Sequence, residues 1–201
     1  PKRQNRSKIM KIFFKIAKFA SLGKLGHGTS MSGGHQTLPR AVKLQVHIVQ
    51  VACGVTHTAL MSAKGKIYTT GMGWYGKLGT GSTTNVYSPV AVEHEFVART
   101  IDCGANCTLA ISRDNLLYIC GQDQIICELE HSTTFMLFDK FLDGSLRVAR
   151  VCASESHVLA STTDGRLWAW GKAAGGKLGV GRIDGRVKWP ERVKNIKNCI
   201  G

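Results

Sequence analysis

Short stretches of alternating apolar and polar residues recur along this chain, separated by glycine or small polar residues. One example runs from His57 to Ser62 and, after Ala63-Lys64-Gly65, continues from Lys66 to Thr70. Both stretches contain β-branched or aromatic residues, which favour strands. The pattern therefore predicts two antiparallel strands joined by a tight turn, with the apolar side chains directed into a core.

This hairpin returns twice at intervals of 50 residues. Equivalent positions are held by Val51, Ile101 and Val151, by His57, Cys107 and His157, and by Gly71, Gly121 and Gly171. A period of this length indicates one supersecondary unit copied along the chain, each copy burying its apolar faces against the next. Function is then expected on the surface of the repeats rather than in an enzyme pocket.

The turns of the three hairpins share one backbone requirement. They lie at 63–65, 113–115 and 163–165. Their last positions are Gly65, Asn115 and Gly165, and glycine and asparagine enter left-handed backbone conformations at least cost. We therefore expect a left-handed residue at each of these positions.

A second phrase, Gly-Lys-Leu-Gly, occurs at 23–26, 76–79 and 176–179. The second copy of the repeat has Ile126-Cys-Glu-Leu129 instead, so its loop is expected to take another path. Pro89 and Pro190 follow the phrase near valine-rich runs. Proline at these positions suits an edge strand, because it has no amide hydrogen to donate to a neighbouring strand.

The motif residues of the first copy are Val51-Ala-Cys-Gly54-Val-Thr-His57-Thr-Ala-Leu60, followed by Gly65-Lys-Ile-Tyr68, Gly71 and Tyr75-Gly-Lys-Leu-Gly79. It closely resembles the repeat of the regulator of chromosome condensation family, a seven-bladed β-propeller. Kelch repeats have the same length but lack this sequence motif. The resemblance covers residues 20–201, with Ser154 replacing the motif glycine in the third copy and Cys107 replacing the histidine in the second.

We therefore predict an all-β fold, a partial β-propeller of about three to four blades with a basic N-terminal extension. The extension is the amphipathic segment 1–22, and the propeller occupies 23–201, with repeats near 51–100, 101–150 and 151–200. An open arc leaves a bare blade face at each end. Neighbouring protein chains, another part of the same chain or an embedding complex would have to cap these ends.

Charge is distributed unevenly along the chain. The formal net charge is +14, and residues 1–92 contain 13 Lys or Arg and no Asp or Glu. From Glu93 onward 14 bases accompany 13 acids. This polarisation favours a large anionic partner, RNA or DNA before an anionic membrane surface, and a merely solvated basic face is the alternative.

Between Ser7 and Leu22, lysines at spacings of three and four lie opposite apolar residues, as in a cationic amphipathic helix. A degenerate inner strand of a partial first blade is the alternative. The segment is too short and too rich in lysine to span a bilayer, and it is similar to a mitochondrial transit sequence because it is basic and acid-free. The residues expected to bind nucleic-acid phosphates are Lys2, Arg3, Arg6, Lys8, Lys11, Lys15, Lys18 and Lys24. Trp74 and Tyr75 are weaker candidates for stacking on bases, and we expect them instead to pack beneath the Gly-Lys-Leu-Gly turn.

The seven cysteines lack the paired short spacings of a zinc site, and their odd number, without a secretory cleavage site, favours a reducing compartment. His57 and His157 recur at the repeat register, and in the family resembled this histidine packs between blades. The run from Ser154 to His157 has no nucleophile elbow, and the glycine phrases lack the spacing of a phosphate-binding loop. We therefore predict no catalysis, no metal, no cofactor and no small-molecule substrate.

Taken together, these features predict a non-catalytic scaffold in a ribonucleoprotein, and a mitochondrial ribosome fits the basic, transit-like start best. It would bind RNA through its basic N-terminal part and proteins through its blade faces. The alternatives are a guanine-nucleotide exchange factor or chromatin adaptor of the same family, and a generic protein-interaction propeller. Mitochondrial localisation follows from the first interpretation, and a nuclear or cytoplasmic location follows from the alternatives.

Reversing four of the N-terminal lysines to glutamate is expected to abolish association with RNA and to leave the β fold intact. Each neutralised phosphate releases counterions, so single-strand binding by Z contacts should follow a log–log salt slope of roughly −0.7Z. Filter binding across a salt series, with circular dichroism as the folding control, measures both effects. Binding that hardly varies with salt would reduce the charge to a solvated face.

Overall fold

The computed structural model describes residues 23–28, 41–121, 132–140, 146–194 and 196. These residues form three four-stranded antiparallel sheets, each with its strands in chain order. Blade 1 contains β1 (Ile48–Cys53), β2 (His57–Ser62), β3 (Ile67–Gly71) and β4 (Val86–Ala91). Blade 2 contains β5 (Ala98–Cys103), β6 (Cys107–Ser112), β7 (Leu117–Gly121) and β8 (Ser132–Leu137). Blade 3 contains β9 (Val148–Ala153), β10 (His157–Thr162), β11 (Leu167–Lys172) and β12 (Arg186–Arg192).

The blades are arranged as sectors of a propeller. The first strands β1, β5 and β9 contact one another from blade to blade, so they line the inner side of the arc. The fourth strands form the outer edges of the three sheets. Pro89 lies in β4 and Pro190 in β12, as expected for edge strands. The predicted partial β-propeller is confirmed.

The expectation about the hairpin turns is also confirmed. Gly65, Asn115 and Gly165 have φ angles of 77°, 62° and 79°. An asparagine holds this conformation in blade 2 because its short polar side chain tolerates left-handed backbone better than other side chains do. The three hairpins therefore keep the same backbone shape although their side chains differ.

The core consists of two apolar layers, one between each pair of neighbouring blades. In the first layer Met61 and Ile67 of blade 1 pack in one cluster with Ile101 of blade 2. In the second layer the side chains are larger, and Phe138 of blade 2 stacks on Trp170 of blade 3 with ring centroids 5.6 Å apart. Each blade thus buries its apolar face against the next, as the repeat predicts.

The loop of blade 1 that carries the Gly-Lys-Leu-Gly phrase docks on the outer strands of blade 2. A Cβ on Gly76 would lie 2.5 Å from the carbonyl oxygen of Ser132 in β8, so this approach requires glycine. The Gly81 amide extends the contact by donating to the Thr133 carbonyl oxygen at 2.9 Å.

Residues 23–28 repeat this contact on blade 1. A Cβ on Gly23 would lie 2.7 Å from the Val86 carbonyl oxygen, and the Gly28 amide donates to the Tyr87 carbonyl oxygen at 2.9 Å. This segment therefore occupies the place that the loop of a preceding blade would take.

Several predictions from the sequence fall on other parts of the chain. The amphipathic segment 1–22, the boundary after it and the divergent loop Ile126-Cys-Glu-Leu129 lie outside the described residues and stay predictions. Among the residues that are described, no helix has the length and hydropathy needed to cross a membrane.

Two turn substitutions should have different effects on stability. Gly65→Val is expected to lower the free energy of unfolding by at least about 1–3 kcal/mol, because a β-branched residue is forced into left-handed backbone. Its Cβ would also lie 2.6 Å from the Ala98 carbonyl oxygen. Asn115→Gly should leave stability unchanged or raise it, since glycine takes this conformation without strain. Chemical denaturation of both variants measures the difference, and equal, negligible changes would contradict the turn assignment.

Candidate protein-binding surface

One end of the arc is formed by the loops that follow the first and third strands of the blades. Because neighbouring strands are antiparallel, these loops emerge at the same end, and we call this end the loop face. Its described segments are 54–56, 72–85, 104–106, 154–156 and 173–185.

An exposed aromatic pair, Trp74 and Tyr75, lies on the loop face of blade 1. The side chains are 57% and 46% exposed, and they occupy a short 3-10 turn, Trp74–Gly76. Tyr75 has φ 64° and ψ 11°, a left-handed conformation that costs a side-chain-bearing residue roughly 1–2 kcal/mol. The matching turn of blade 3 has Ala174 and Gly175 instead, with Gly175 at φ 73° and ψ 16°.

The turn that carries the aromatic pair is firmly anchored. Lys77 is only 1% exposed, and its ammonium donates to Thr56 Oγ1 at 2.9 Å and to Asn106 Oδ1 at 3.1 Å. The same Nζ lies 5.9 Å from the centre of the Tyr75 ring. One lysine therefore ties the turn both to its own blade and to blade 2, so the aromatic pair is presented on a fixed backbone.

The expectation that Trp74 and Tyr75 pack beneath the turn is wrong. The residue beneath it is Leu78, which is fully buried and whose carbonyl oxygen accepts a hydrogen bond from Thr69 Oγ1 at 2.7 Å. The glycines around the aromatic pair fix the backbone so that Leu78 points inward. Trp74 and Tyr75 consequently point to solvent.

His57 takes part in a hydrogen-bonded chain between blades 1 and 2. Its Nε2 lies 2.9 Å from Thr108 Oγ1, and this hydroxyl donates to the Lys77 carbonyl oxygen at 2.6 Å. Since Thr108 donates its hydroxyl proton to the Lys77 carbonyl oxygen, His57 Nε2 must carry a proton and donate it to Thr108 Oγ1. Burial, with a smaller contribution from the Lys77 ammonium, lowers the pKa of His57 to about 3, so the imidazole is neutral.

The junction between blades 2 and 3 replaces this polar pair with an apolar one. Cys107 holds the place of His57 and Val158 holds the place of Thr108, and both are fully buried. The histidine and its hydroxyl partner thus change together from one junction to the next. This supports the expectation that His57 is structural.

His157 lies on the exposed side of blade 3 and bonds within its own turn. Ser154 Oγ is 2.6 Å from His157 Nδ1 and accepts from the amides of Ser156 and His157 at 3.2 and 3.0 Å. With two amide hydrogens on its oxygen, this serine is placed to shape the turn rather than to attack a substrate. Burial, followed by the charge of Lys177, lowers the pKa of His157.

Apolar filling by the cysteines before the motif glycine is confirmed for Cys103 and is wrong for Cys53 and Cys152, which are exposed, whereas Cys107 and Cys120 are also buried. Burial raises the pKa of Cys103 and raises that of Cys120 to about 12, so both remain protonated thiols at neutral pH. Within the described part of the chain, no group of three or more His, Cys, Asp or Glu side chains is placed to hold a metal ion. Cys127 and Cys199 lie outside that part.

Of the eight predicted phosphate-binding residues, only Lys24 lies within the described residues. Its carbonyl oxygen accepts a hydrogen bond from Thr58 Oγ1 at 2.8 Å, as that of Lys77 does from Thr108, and its side chain is half-buried. The phosphate contacts therefore stay a prediction. A second basic region, residues 146–194, contains ten Lys or Arg and four Asp or Glu. The charge count from Glu93 to the end of the chain does not reveal this region, because it also includes the more acidic residues 93–145.

Residues 20–61 and 64–111 match a family model described as the Regulator of chromosome condensation (RCC1) repeat. Residues 148–174 match a second family model of the same description. The chain is 32% identical over 179 residues to the Ultraviolet-B receptor UVR8 of Arabidopsis thaliana, covering 85% of this chain and 40% of the receptor. It is 30% identical over 187 residues to the E3 ubiquitin-protein ligase HERC2 of Homo sapiens, covering 87% of this chain and 4% of the ligase.

Solved structures show the same fold at lower identity. Yeast RCC1 (Prp20), in a crystal structure with Kap60, matches with a TM-score of 0.68 and 20% identity over 82% of this chain and 41% of that one. Human WBSCR16 matches with a TM-score of 0.52 and 20% identity over 87% of this chain and 61% of that one. The chain thus spans two fifths or less of the two curated relatives and about two fifths of the yeast structure.

The neutral state of His57 predicts a pH dependence of stability. Its pKa rises from about 3 in the folded protein to an ordinary value of about 6.5 on unfolding, so only the unfolded chain binds the proton between these values. The contribution of His57 to the free energy of unfolding is complete above pH 6.5. As the pH falls from 6.5 toward 3, this contribution should decrease by about 1.4 kcal/mol per pH unit. Denaturation curves of the wild type and of His57→Gln, whose amide does not titrate, measure the difference in slope. Identical slopes would show that His57 is solvated and titrates normally.

Proposed function

The chain belongs to the family of regulator of chromosome condensation (RCC1) repeat proteins, and on this premise we propose that it is a non-catalytic module that binds partner proteins through its loop face. The fold supplies a rigid support, and the aromatic pair of blade 1 supplies the contact. A protein-interaction propeller, one of the alternatives that the sequence left open, is thereby preferred over a ribosomal scaffold.

One of the similar proteins of known structure is named together with protein partners. Yeast RCC1 (Prp20) has been crystallised bound to Kap60, and the crystal structure of Prp20p was determined together with its binding properties to Gsp1p and histones. The curated relatives include an ultraviolet-B receptor and a ubiquitin ligase, whose activities differ from each other. The repeat that they share with this chain is therefore better suited to recognition than to one particular reaction.

The observation that carries the proposal is the exposed, strained turn at Trp74 and Tyr75. Tryptophan and tyrosine are enriched among the residues that dominate protein interfaces, since they offer a large contact area with few rotatable bonds. Tyr75 adopts a left-handed conformation at the position where blade 3 has a glycine. A residue held against its backbone preference at an exposed position points to a function for its side chain.

His57 and His157, the two histidines at the repeat register, are not placed for catalysis at this surface. His57 is fully buried and hydrogen-bonded to Thr108, so it reaches no solvent-borne substrate. His157 bonds to Ser154, whose oxygen already accepts two amide hydrogens. A small GTPase or a chromatin protein would be partners of the proposed type, in keeping with the exchange-factor and chromatin-adaptor alternative.

A second candidate function is the RNA-binding scaffold of a ribosome, and the acid-free run of residues 1–92 favours it. The relatives named above include no ribosomal protein, and their names give no support for mitochondrial localisation. The nuclear or cytoplasmic location of the alternative agrees better with relatives of the RCC1 type.

The double variant W74A/Y75G copies the turn of blade 3 and tests the proposal. Loss of a central aromatic contact is expected to reduce the recovery of bound proteins at least about tenfold. Relief of backbone strain should offset lost packing, so the free energy of unfolding should change by less than about 1 kcal/mol. Affinity purification from cells of the source organism with quantitative mass spectrometry, beside chemical denaturation, measures both quantities.

Trp189 provides a matched control, because it is 38% exposed on the outer strand β12, away from the loop face. Trp189→Ala should retain the partners that the double variant loses. Recovery of the same proteins by W74A/Y75G and by the wild type would overturn the proposed binding surface.

A further inference from the structure

The crossover of residues 92–97 joins the outer strand of blade 1 to the inner strand of blade 2, at the end of the arc opposite the loop face. The Val92 amide donates to the Ile67 carbonyl oxygen at 2.9 Å, and the Ile67 amide donates to His94 Nε2 at 3.3 Å. Ile67 of β3 therefore binds the crossover through both of its backbone groups. One of these two bonds is made by a side chain that titrates near neutral pH.

The hydrogen bonds of His94 fix its protonation state. Its Nδ1 lies 2.6 Å from the Phe96 carbonyl oxygen, which can only accept, so Nδ1 carries a hydrogen. The Ile67 amide can only donate, so Nε2 carries none. His94 is therefore neutral in this arrangement. Protonation would place a second N–H opposite the Ile67 N–H, and the bond between the crossover and β3 would be lost.

The ring of His94 also covers an aromatic cluster. Its centroid lies 4.5 Å from that of Phe96, and the edge-on Phe135 ring of β8 is 6.3 Å away. Phe96 in turn stacks on Tyr118 of β7, with centroids 3.9 Å apart and an interplanar angle of 12°. The crossover is thus attached to blade 1 by the His94 bond and to blade 2 by these rings. Displacement of the imidazole would uncover one side of the cluster.

Burial is the largest influence on His94 and lowers its pKa, partly opposed by the hydrogen bond to the crossover carbonyl oxygen. Lys66, which precedes β3, lowers the pKa of His94 further, and Glu93 on the crossover raises it. These two side chains pair with each other at 3.1 Å. Glu95 on the crossover is exposed, and β7 contributes the Tyr118 phenol behind the neighbouring ring. The fold therefore favours the neutral imidazole.

The sequence of the other crossovers differs at this position. The Phe138 amide of blade 2 and the Val193 amide of blade 3 make the same backbone bond to their third strands, each at 2.8 Å. Two residues further on, where blade 1 has His94, the chain has Lys140 and Asn195. Neither of these side chains titrates near neutral pH. The three blades thus share the backbone bond, whereas the titratable bond belongs to blade 1.

We propose that His94 is a pH-sensitive clasp of the crossover between blades 1 and 2. In its neutral form it holds residues 92–97 against β3. On protonation it releases them and opens the outer side of the first blade junction, where the aromatic cluster lies.

Hydrogen exchange of the Ile67 amide in the full chain, followed by NMR, tests the clasp. Because the released imidazole takes up a proton, the opening equilibrium should rise by up to about tenfold for each pH unit below about 6.5. The protection of Ile67, corrected for intrinsic exchange and divided by that of Leu60, should fall at least about fivefold from about pH 7 to about pH 5. Leu60 is fully buried in β2, so its amide reports opening of the whole blade, including any effect of His57.

His94→Gln is the matched variant, because its amide can accept from Ile67 and donate to the Phe96 carbonyl oxygen without titrating. Its protection ratio should stay constant over the same pH range. Glu93→Gln and Lys66→Gln should both keep the pH dependence. The first should move its midpoint to lower pH and the second to higher pH, since Glu93 raises and Lys66 lowers the pKa of His94.

Nitrogen chemical shifts of the imidazole give a separate readout, and at neutral pH they should show the hydrogen on Nδ1. Hydrogen on Nε2 at neutral pH would overturn the clasp, as would a wild-type protection ratio that does not change with pH. An equal fall in His94→Gln, or loss of the pH dependence in Glu93→Gln, would assign the effect to another group and overturn the proposal as well.

Discussion

Among the described residues, the blade 1 loop and residues 23–28 each make close backbone contact with the outer strands of the blade that follows them. At Gly76 and at Gly23 the chain passes so close to a neighbouring carbonyl oxygen that no side chain fits. The amides of Gly81 and Gly28 then donate to the strand that is approached. Because these contacts use backbone atoms, they recur at both places although the surrounding side chains differ. The apolar layers stabilise a geometry that the glycines permit.

A rigid junction allows side chains at its surface to serve recognition. Lys77 is buried where blade 1 meets blade 2, and its hydrogen bonds to Thr56 and Asn106 fix the turn that carries Trp74 and Tyr75. The strain of a left-handed tyrosine is small compared with the stability of the surrounding layers, so the fold tolerates it. Blade 3 keeps the same turn with alanine and glycine, which shows that the turn does not need the aromatic side chains. Their presence in blade 1 is therefore best explained by contact with another molecule.

The same comparison between blades explains the histidines. His57 is neutral because it is buried and lies near the Lys77 ammonium, and its Nε2 is hydrogen-bonded to a threonine 51 residues away. Cys107 and Val158 fill the equivalent space without a polar group. Gly54 leaves room for the imidazole, since a Cβ there would lie 2.4 Å from the His57 ring. In blade 3 a serine takes the place of that glycine and binds His157 directly. The histidine at this repeat position therefore bonds to Thr108 of the next blade in blade 1 and to Ser154 of its own turn in blade 3.

The repeat, the strands, the left-handed turns and the propeller class follow from the order of residues, because glycine, proline and alternating side chains act over a few positions. The same local rules identified His57 as structural, since it recurs in register. They could not indicate that Trp74 and Tyr75 are exposed or that Lys77 is buried, because these environments depend on which blade lies against the loop. The pairing of His57 with Thr108 and of Cys107 with Val158 likewise arises only when strands about 50 residues apart are brought face to face. Burial and partnership are properties of packing between blades, and no short stretch of sequence contains them.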